Sequence, residues 1–145
     1  VPVAEQLGAD DYDAVSSLLI NSKLQISDLT PEALTHFLGI REEATITAVG
    51  GIEVYGPVAL LRSIAVAGSS KGQGYGLQIV HALEAGARRT GIETLYLLTE
   101  SADAFFARLG YRHTARDDVP AAIRATAQFS ALCPESAACM AKHLA

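Results

Sequence analysis

The sequence predicts an α+β fold: a mixed sheet in which an antiparallel meander leads into a strand–helix–strand unit, with helices on both faces. Three observations carry this. Residues 36–67 hold three β-rich runs, "HFLGIR", "ATITAVGGIEVY" and "VALLRSIAVA", parted only by "EE" and "GP". Connections that short permit only antiparallel neighbours. A helical stripe, Ile79, Val80, Leu83 and Ala87, follows, and then "IETLYLL" reads as another strand.

Composition bounds the rest. Of 145 residues, 50% are hydrophobic and 19% charged, which is enough apolar material for a core and fits a single domain over 1–145. No apolar run approaches the ~20 residues that span a bilayer. A net charge of −5 gives no electrostatic ground for nucleic acid as a partner. The start, "VPVAEQLGADD", lacks the basic and apolar regions of a signal peptide. Cys133 and Cys139 form neither a CxxC pair nor a disulfide framework, so free thiols and a cytoplasmic setting are expected.

The elements follow in order. Val3–Leu7 is a short strand. Asp10 or Asp11 caps a helix whose apolar residues Ala14, Val15, Leu18 and Leu19 recur at helical spacing to Asn21. The stretch 21–35 is ambiguous, although "DLTPEAL" suits a short helix with Thr30 as cap and Pro31 first. After the meander, a helix runs from about Gly74 to Arg89. Arg88 and Arg89 suit its C-terminal end, and Gly91 stops it. "IETLYLL" reads as buried on both faces. "SADAFFARLG" is a helix capped by Ser101 and closed by Gly110, "YRHTAR" is a strand, "VPAAIRATAQFSAL" is weakly helical, and "SAACMAKHL" is a final strand.

The segment "AVAGSSKGQGYGLQ", 65–78, joins the meander to the long helix. A helix start leaves its first N–H groups without intrahelical partners, and the dipole is positive there. Gly72, Gly74 and Gly76 let backbone approach an anion closely, and Lys71 adds a full charge. This reads as a phosphate or pyrophosphate cradle, with an ordinary glycine-rich turn as the alternative. It is neither GxxxxGK[ST] nor GxGxxG, and a dinucleotide fold would open with such a unit rather than follow a meander.

With "FFARLGY" after it, this arrangement resembles the GCN5-related N-acetyltransferases (GNAT). Their acetyl-CoA motif is Gln/Arg-x-x-Gly-x-Gly/Ala. Lys71, Gly74 and Gly76 match it, with Lys in place of Gln or Arg. The resemblance implies acetyl-CoA as co-substrate, held by Lys71, Gly72, Gly74, Tyr75 and Gly76, with Val66 and Ala67 bonding the pantetheine arm through backbone. A narrower likeness, in "ALLRSIAV", "LYLLTESADAFFARLGY" and the C-terminal run, is to the small acetyltransferases of bacterial arsenic-resistance operons. It implies an amino-acid-like acceptor and a role in toxin or arsenical resistance.

Two departures stand against the resemblance. Leu60 lies where relatives carry a catalytic Glu, and Phe106 where they carry an acidic Tyr. If Gly56–Pro57 is a two-residue turn, Glu53, Leu60 and Arg62 share one face. Glu53 is then the candidate base and Arg62 the candidate holder of a substrate carboxylate; a Glu53–Arg62 salt bridge is the plain alternative. Ser101 is the candidate acid, although a cap explains it as well. Without a strong base, an α-amine (pKa ~8) is favoured over a lysine amine (~10.4), by about 3 kcal/mol. The expected function is direct acetyl transfer to a small amine. The alternative is an acyl-CoA-binding or regulatory domain without catalysis. No metal-ligand spacing occurs among the histidines and cysteines. The apolar "SAACMAKHL" suits pairing of two copies into a homodimer.

Overall fold

The meander forms as the short connections dictate. In the computed structural model, which describes residues 3–132 and 136–144, the three runs become β2 (Phe37–Glu42), β3 (Thr45–Tyr55) and β4 (Val58–Val66). Preceding them are β1 (Glu5–Gln6) and α1 (Tyr12–Asn21). After them come α2 (Tyr75–Arg89), β5 (Thr94–Thr99), α3 (Asp103–Arg108), β6 (Arg112–His113), α4 (Ala121–Arg124) and β7 (Ala138–His143). The strands lie in one mixed sheet in the order β1-β2-β3-β4-β5-β7-β6. β1 and β2, β2 and β3, β5 and β7, and β6 and β7 pair antiparallel, while β4 and β5 pair parallel through Val58–Leu60 and Thr94–Tyr96.

The chain divides into two compact units. The first comprises Val1–Glu53 and Arg62–Gly86. Its core joins Val15, Leu18 and Leu19 of α1 to Leu34, Phe37, Ile46, Val49 and Ala65. The second comprises Val54–Leu61 and Ala87–Ala145, with Leu60, Val119, Ile123, Phe129 and Cys139 at its centre. The stripe of α2 is buried as its spacing requires, with Ile79, Val80 and Ala87 at 0% exposure and Leu83 at 5%.

Several expectations change. Asp11 rather than Asp10 stands at the N-cap position of α1, but its side chain makes no cap bond to the helix. Both lie in a preceding 3-10 turn, Ala9–Asp11, and Asp11 instead accepts from the Gly8 N–H (3.0 Å) and from Arg41 (2.8 Å). Those bonds, the Arg41 one first, hold its carboxyl below the ordinary range. Thr30 does accept the Ala33 N–H (3.2 Å), but the turn it opens, Glu32–His36, is 3-10 rather than α-helical. Ser101 does not cap α3. The Thr99 hydroxyl accepts the Ala102 N–H (2.9 Å), and Ser101 is exposed. β5 buries Leu95 and Leu97 fully but leaves the residues between half-covered, so one face is covered more than the other. β6 is two residues where six were expected. The final strand, β7, pairs with β5 along its length and with β6 only at Met140 and Ala141. Cys139 is buried, which pushes its thiol pKa up; Cys133 lies outside the described residues. Among the described residues no helix is long and apolar enough to cross a membrane.

Adjacent glycines in mid-strand weaken a strand unless something needs the space. Here two things do. A Cβ on Gly50 would stand 2.4 Å from Ile64 and 2.6 Å from Ile79. A Cβ on Gly51 would stand 2.3 Å from the ring of Phe37, its antiparallel partner across β2. Phe37 is 1% exposed and has nowhere to retreat. Gly51→Ala is therefore expected to lower unfolding free energy by about 1–3 kcal/mol. Urea denaturation checks this, and a Phe37→Leu background should relieve much of the loss.

Candidate functional site

Two polar clusters of the first unit contain the predicted site residues Tyr75, Glu53 and Arg62. The nearer to the glycine segment begins where β4 ends. Val66 closes the strand, and the Ala67 N–H donates to the Thr47 carbonyl (2.7 Å) while its own carbonyl accepts the Ser70 N–H (2.9 Å). Both backbone groups of Ala67 thus already have partners within the protein. A 3-10 turn, Gly68–Ser70, follows. Lys71, Gly72, Gln73 and Gly74 are all exposed. Gly72 and Gly74 have φ of +86° and +79°, a left-handed region costly for side chains. Neither a Cβ at Gly72 nor one at Gly74 would touch the protein, so the space over the loop is open. α2 starts at Tyr75, and Gln78 N–H makes the first turn back to the Gly74 carbonyl (3.0 Å).

Tyr75 is 8% exposed, so its side chain faces protein. Its hydroxyl donates to Glu42 Oε2 (2.8 Å), and the Ser70 hydroxyl donates to Glu42 Oε1 (2.6 Å). These bonds, Ser70 first and Tyr75 second, hold the Glu42 carboxyl below its ordinary range. What Tyr75 offers a ligand is backbone N–H rather than side chain. Glu42 itself reads in the sequence only as half of the "EE" turn.

The second cluster centres on Arg62, 6% exposed. Its Nη1 and Nη2 donate to the two carboxylate oxygens of Asp28 (2.8 and 2.9 Å), a bidentate fork. Nη1 also reaches Glu53 Oε2 (2.8 Å), Nε reaches the Ser63 hydroxyl (3.0 Å), and the guanidinium stands 6.0 Å from the Phe37 ring centre. Burial works to lower the Arg62 pKa, but the bonds from Asp28 and Glu53 outweigh it and the net shift is upward. The sequence brings Glu53 and Arg62 together correctly. It misses Asp28, which lies in the stretch without periodicity. The correction this forces is that the fork expected to grip a substrate carboxylate is filled by Asp28.

Ser101 belongs to the second unit, as do Leu60 and Phe106. Leu60 is 1% exposed in the second core. Phe106 packs edge-on against Tyr111, centroids 5.5 Å apart. Both are apolar residues in apolar surroundings.

A β4 strand running into a left-handed, lysine-bearing loop and a helix N-terminus is an arrangement that can hold an anion. The sequence profile described as "Acetyltransferase (GNAT) family" matches residues 7–111. The chain belongs to the GNAT acetyltransferase family. That family transfers an acetyl group to amines and uses acetyl-CoA as co-substrate. Solved GNAT structures share the fold at low identity. The N-acetylglutamate synthase of Neisseria gonorrhoeae, complexed with coenzyme A and N-acetyl-glutamate, superposes with a TM-score of 0.87 at 14% identity, over 100% of this chain and 35% of that one. Rv2747 of Mycobacterium tuberculosis, in complex with CoA, gives 0.81 at 21% identity over 99% and 100%. PaiA N-acetyltransferase of Thermoplasma acidophilum, in complex with coenzyme A, gives 0.72 at 12% over 99% and 99%. The chain spans about a third of the length of the synthase (35%). No curated protein matches the sequence.

Proposed function

We propose that this GNAT chain seats the pyrophosphate of acetyl-CoA on the backbone of Lys71–Gly76 and passes the acetyl group directly to the amine of a small, amino-acid-like acceptor. The observation that supports it is the loop itself: two left-handed glycines, an exposed lysine and a helix start, with open space above. The residues fit the group, because backbone N–H donors and a single cation suit a pyrophosphate. Acetyl-CoA supplies an activated thioester; the chain must supply a neutral amine and a seat for it. Glu53 is the proposed proton acceptor. Arg62 holds Glu53 and Asp28 in place rather than gripping substrate. By formal charge the trio carries one net negative charge, which draws the acceptor's amine end, rather than its carboxylate, toward Glu53.

No side chain is assigned as acid. A thiol pKa near ~8.5 makes CoA thiolate a competent leaving group near neutral pH, and exposed Ser101 is not required. The base set favours α-amines, as in the N-acetyl-glutamate that the gonococcal synthase holds. The narrower sequence likeness to arsenic-operon acetyltransferases adds amino-acid-like organoarsenicals to the acceptors worth trying. The apolar Leu60 and Phe106 favour the second reading, an acyl-CoA-binding domain without catalysis.

The test is thiol release from acetyl-CoA across a panel of amino acids, amino-acid-like arsenicals and lysine peptides. We expect release that depends on acceptor and is faster with α-amines. Acetylation confined to protein lysines would overturn the acceptor class. Binding of acetyl-CoA with no acceptor-dependent release would favour the second reading.

A further inference from the structure

We infer that Glu42 is a positioning residue for acetyl-CoA: by holding Ser70 and Tyr75 on its two carboxylate oxygens, it fixes both ends of the exposed loop 71–74 and so sets the spacing of the pyrophosphate cradle. The inference rests on the reading of that loop given above and deepens it.

The geometry is specific. Ser70 and Tyr75 are the residues that immediately flank the exposed stretch, and both are buried, at 3% and 8% exposure. Each gives its hydroxyl to a different oxygen of the same carboxylate, at 2.6 and 2.8 Å. Bonds from hydroxyls to an ionised carboxylate are short and stronger than neutral ones. The carboxylate is itself fixed: Glu42 is the last residue of β2, where it pairs with Thr45 across the turn to β3. That turn has left-handed backbone at Glu43 and Ala44, φ +51° and +69°. A second anchor comes from β3, whose Thr47 carbonyl takes the Ala67 N–H. Between these anchors the loop has no buried side chain of its own, since residues 71–74 are all exposed.

A loop with two left-handed glycines pays a large conformational cost when it is ordered around a ligand. Fixing its ends beforehand removes part of that cost, which is the general route by which preorganisation raises affinity. Glu42 therefore acts on the pyrophosphate end of acetyl-CoA and not on the thioester or on the acceptor.

The experiment compares acetyl-CoA with S-acetylpantetheine, which lacks the pyrophosphate and the 3′-phosphoadenosine, and with S-acetyl-4′-phosphopantetheine, which keeps one phosphate and should follow acetyl-CoA, by calorimetric titration into the wild-type protein and into Glu42→Ala, Glu42→Gln and Ser70→Ala/Tyr75→Phe. We expect Glu42→Ala to weaken acetyl-CoA by about tenfold or more and to leave S-acetylpantetheine unchanged. The Ser70→Ala/Tyr75→Phe pair should match it, and adding Glu42→Ala to that pair should cost little more, because the interaction is already gone. In turnover, KM for acetyl-CoA should rise while kcat and KM for the acceptor hold. Glu42→Gln, which keeps one carbonyl acceptor, should fall between. If Glu42→Ala does not fold, the Gln variant and the hydroxyl pair carry the same comparison. Equal weakening of acetyl-CoA and S-acetylpantetheine, or no weakening of either, overturns the inference. Failure of the wild-type protein to prefer acetyl-CoA over S-acetylpantetheine overturns instead the cradle reading on which it rests.

Discussion

Arg62→Ala is expected to destabilise the protein by about 3–5 kcal/mol, measured by urea unfolding. The side chain of Arg62 is 4% exposed, and the two carboxylates it holds are 15% and 26% exposed. Removing the guanidinium leaves Asp28 and Glu53 as like charges without the cation they share, at a largely covered site. The loss comes from stranded charge more than from the pair's net worth, because a buried ion pair roughly balances its own desolvation. That distinction is measurable. In an Asp28→Asn/Glu53→Gln background the same Arg62→Ala change should cost clearly less, since no anion is left uncompensated. Equal losses in both backgrounds would mean that Arg62 matters through packing on Phe37 alone. Activity should fall with Arg62→Ala as well, because Glu53 loses the group that fixes its position.

The second large effect belongs to the cradle. Gly74→Val places a β-branched residue at φ +79°, where strain is of order 1–3 kcal/mol. Nothing in the protein lies within 4 Å of the added Cβ, so the fold loses only the strain. A bound pyrophosphate would meet the side chain directly. Acetyl-CoA affinity should therefore drop by about 10–100-fold, with a thermal shift no larger than the strain explains. Lys71→Ala should weaken binding more mildly and in a salt-dependent way, as expected of a single exposed cation. A Gly74→Val protein that binds acetyl-CoA as the wild type does would remove the loop from the binding site.

The sequence makes some of this legible and hides the rest for identifiable reasons. The meander and α2 are readable because short connections and a 3.6-residue stripe each have one structural solution. The bounds of β3 and α2 fall within a residue of expectation (45–55 and 75–89). The Glu53–Arg62 contact follows from a two-residue turn and strand alternation. Asp28 is hidden because the chain around it has no periodicity, so nothing local says that it returns to β4. Glu42 is hidden for a related reason. A pair of acidic residues in a turn looks solvated, and only the tertiary fold brings Ser70 and Tyr75 to it. Asp11 takes the N-cap position of α1 without a side-chain cap bond, and Ser101 does not cap α3, because other bonds compete. Arg41 draws Asp11 away, and Thr99 supplies the hydroxyl that Ser101 was expected to give.

The central claim is that the 71–76 loop holds the pyrophosphate of acetyl-CoA. Titration of the wild-type protein with acetyl-CoA and, separately, with S-acetylpantetheine and S-acetyl-4′-phosphopantetheine tests it most directly. The account predicts saturable one-to-one binding of acetyl-CoA that weakens with added salt, binding of S-acetylpantetheine at least about tenfold weaker, and recovery of much of that loss with S-acetyl-4′-phosphopantetheine, which regains a phosphate without the nucleoside. Equal affinity for acetyl-CoA and S-acetylpantetheine, or no saturable binding of acetyl-CoA, would contradict it.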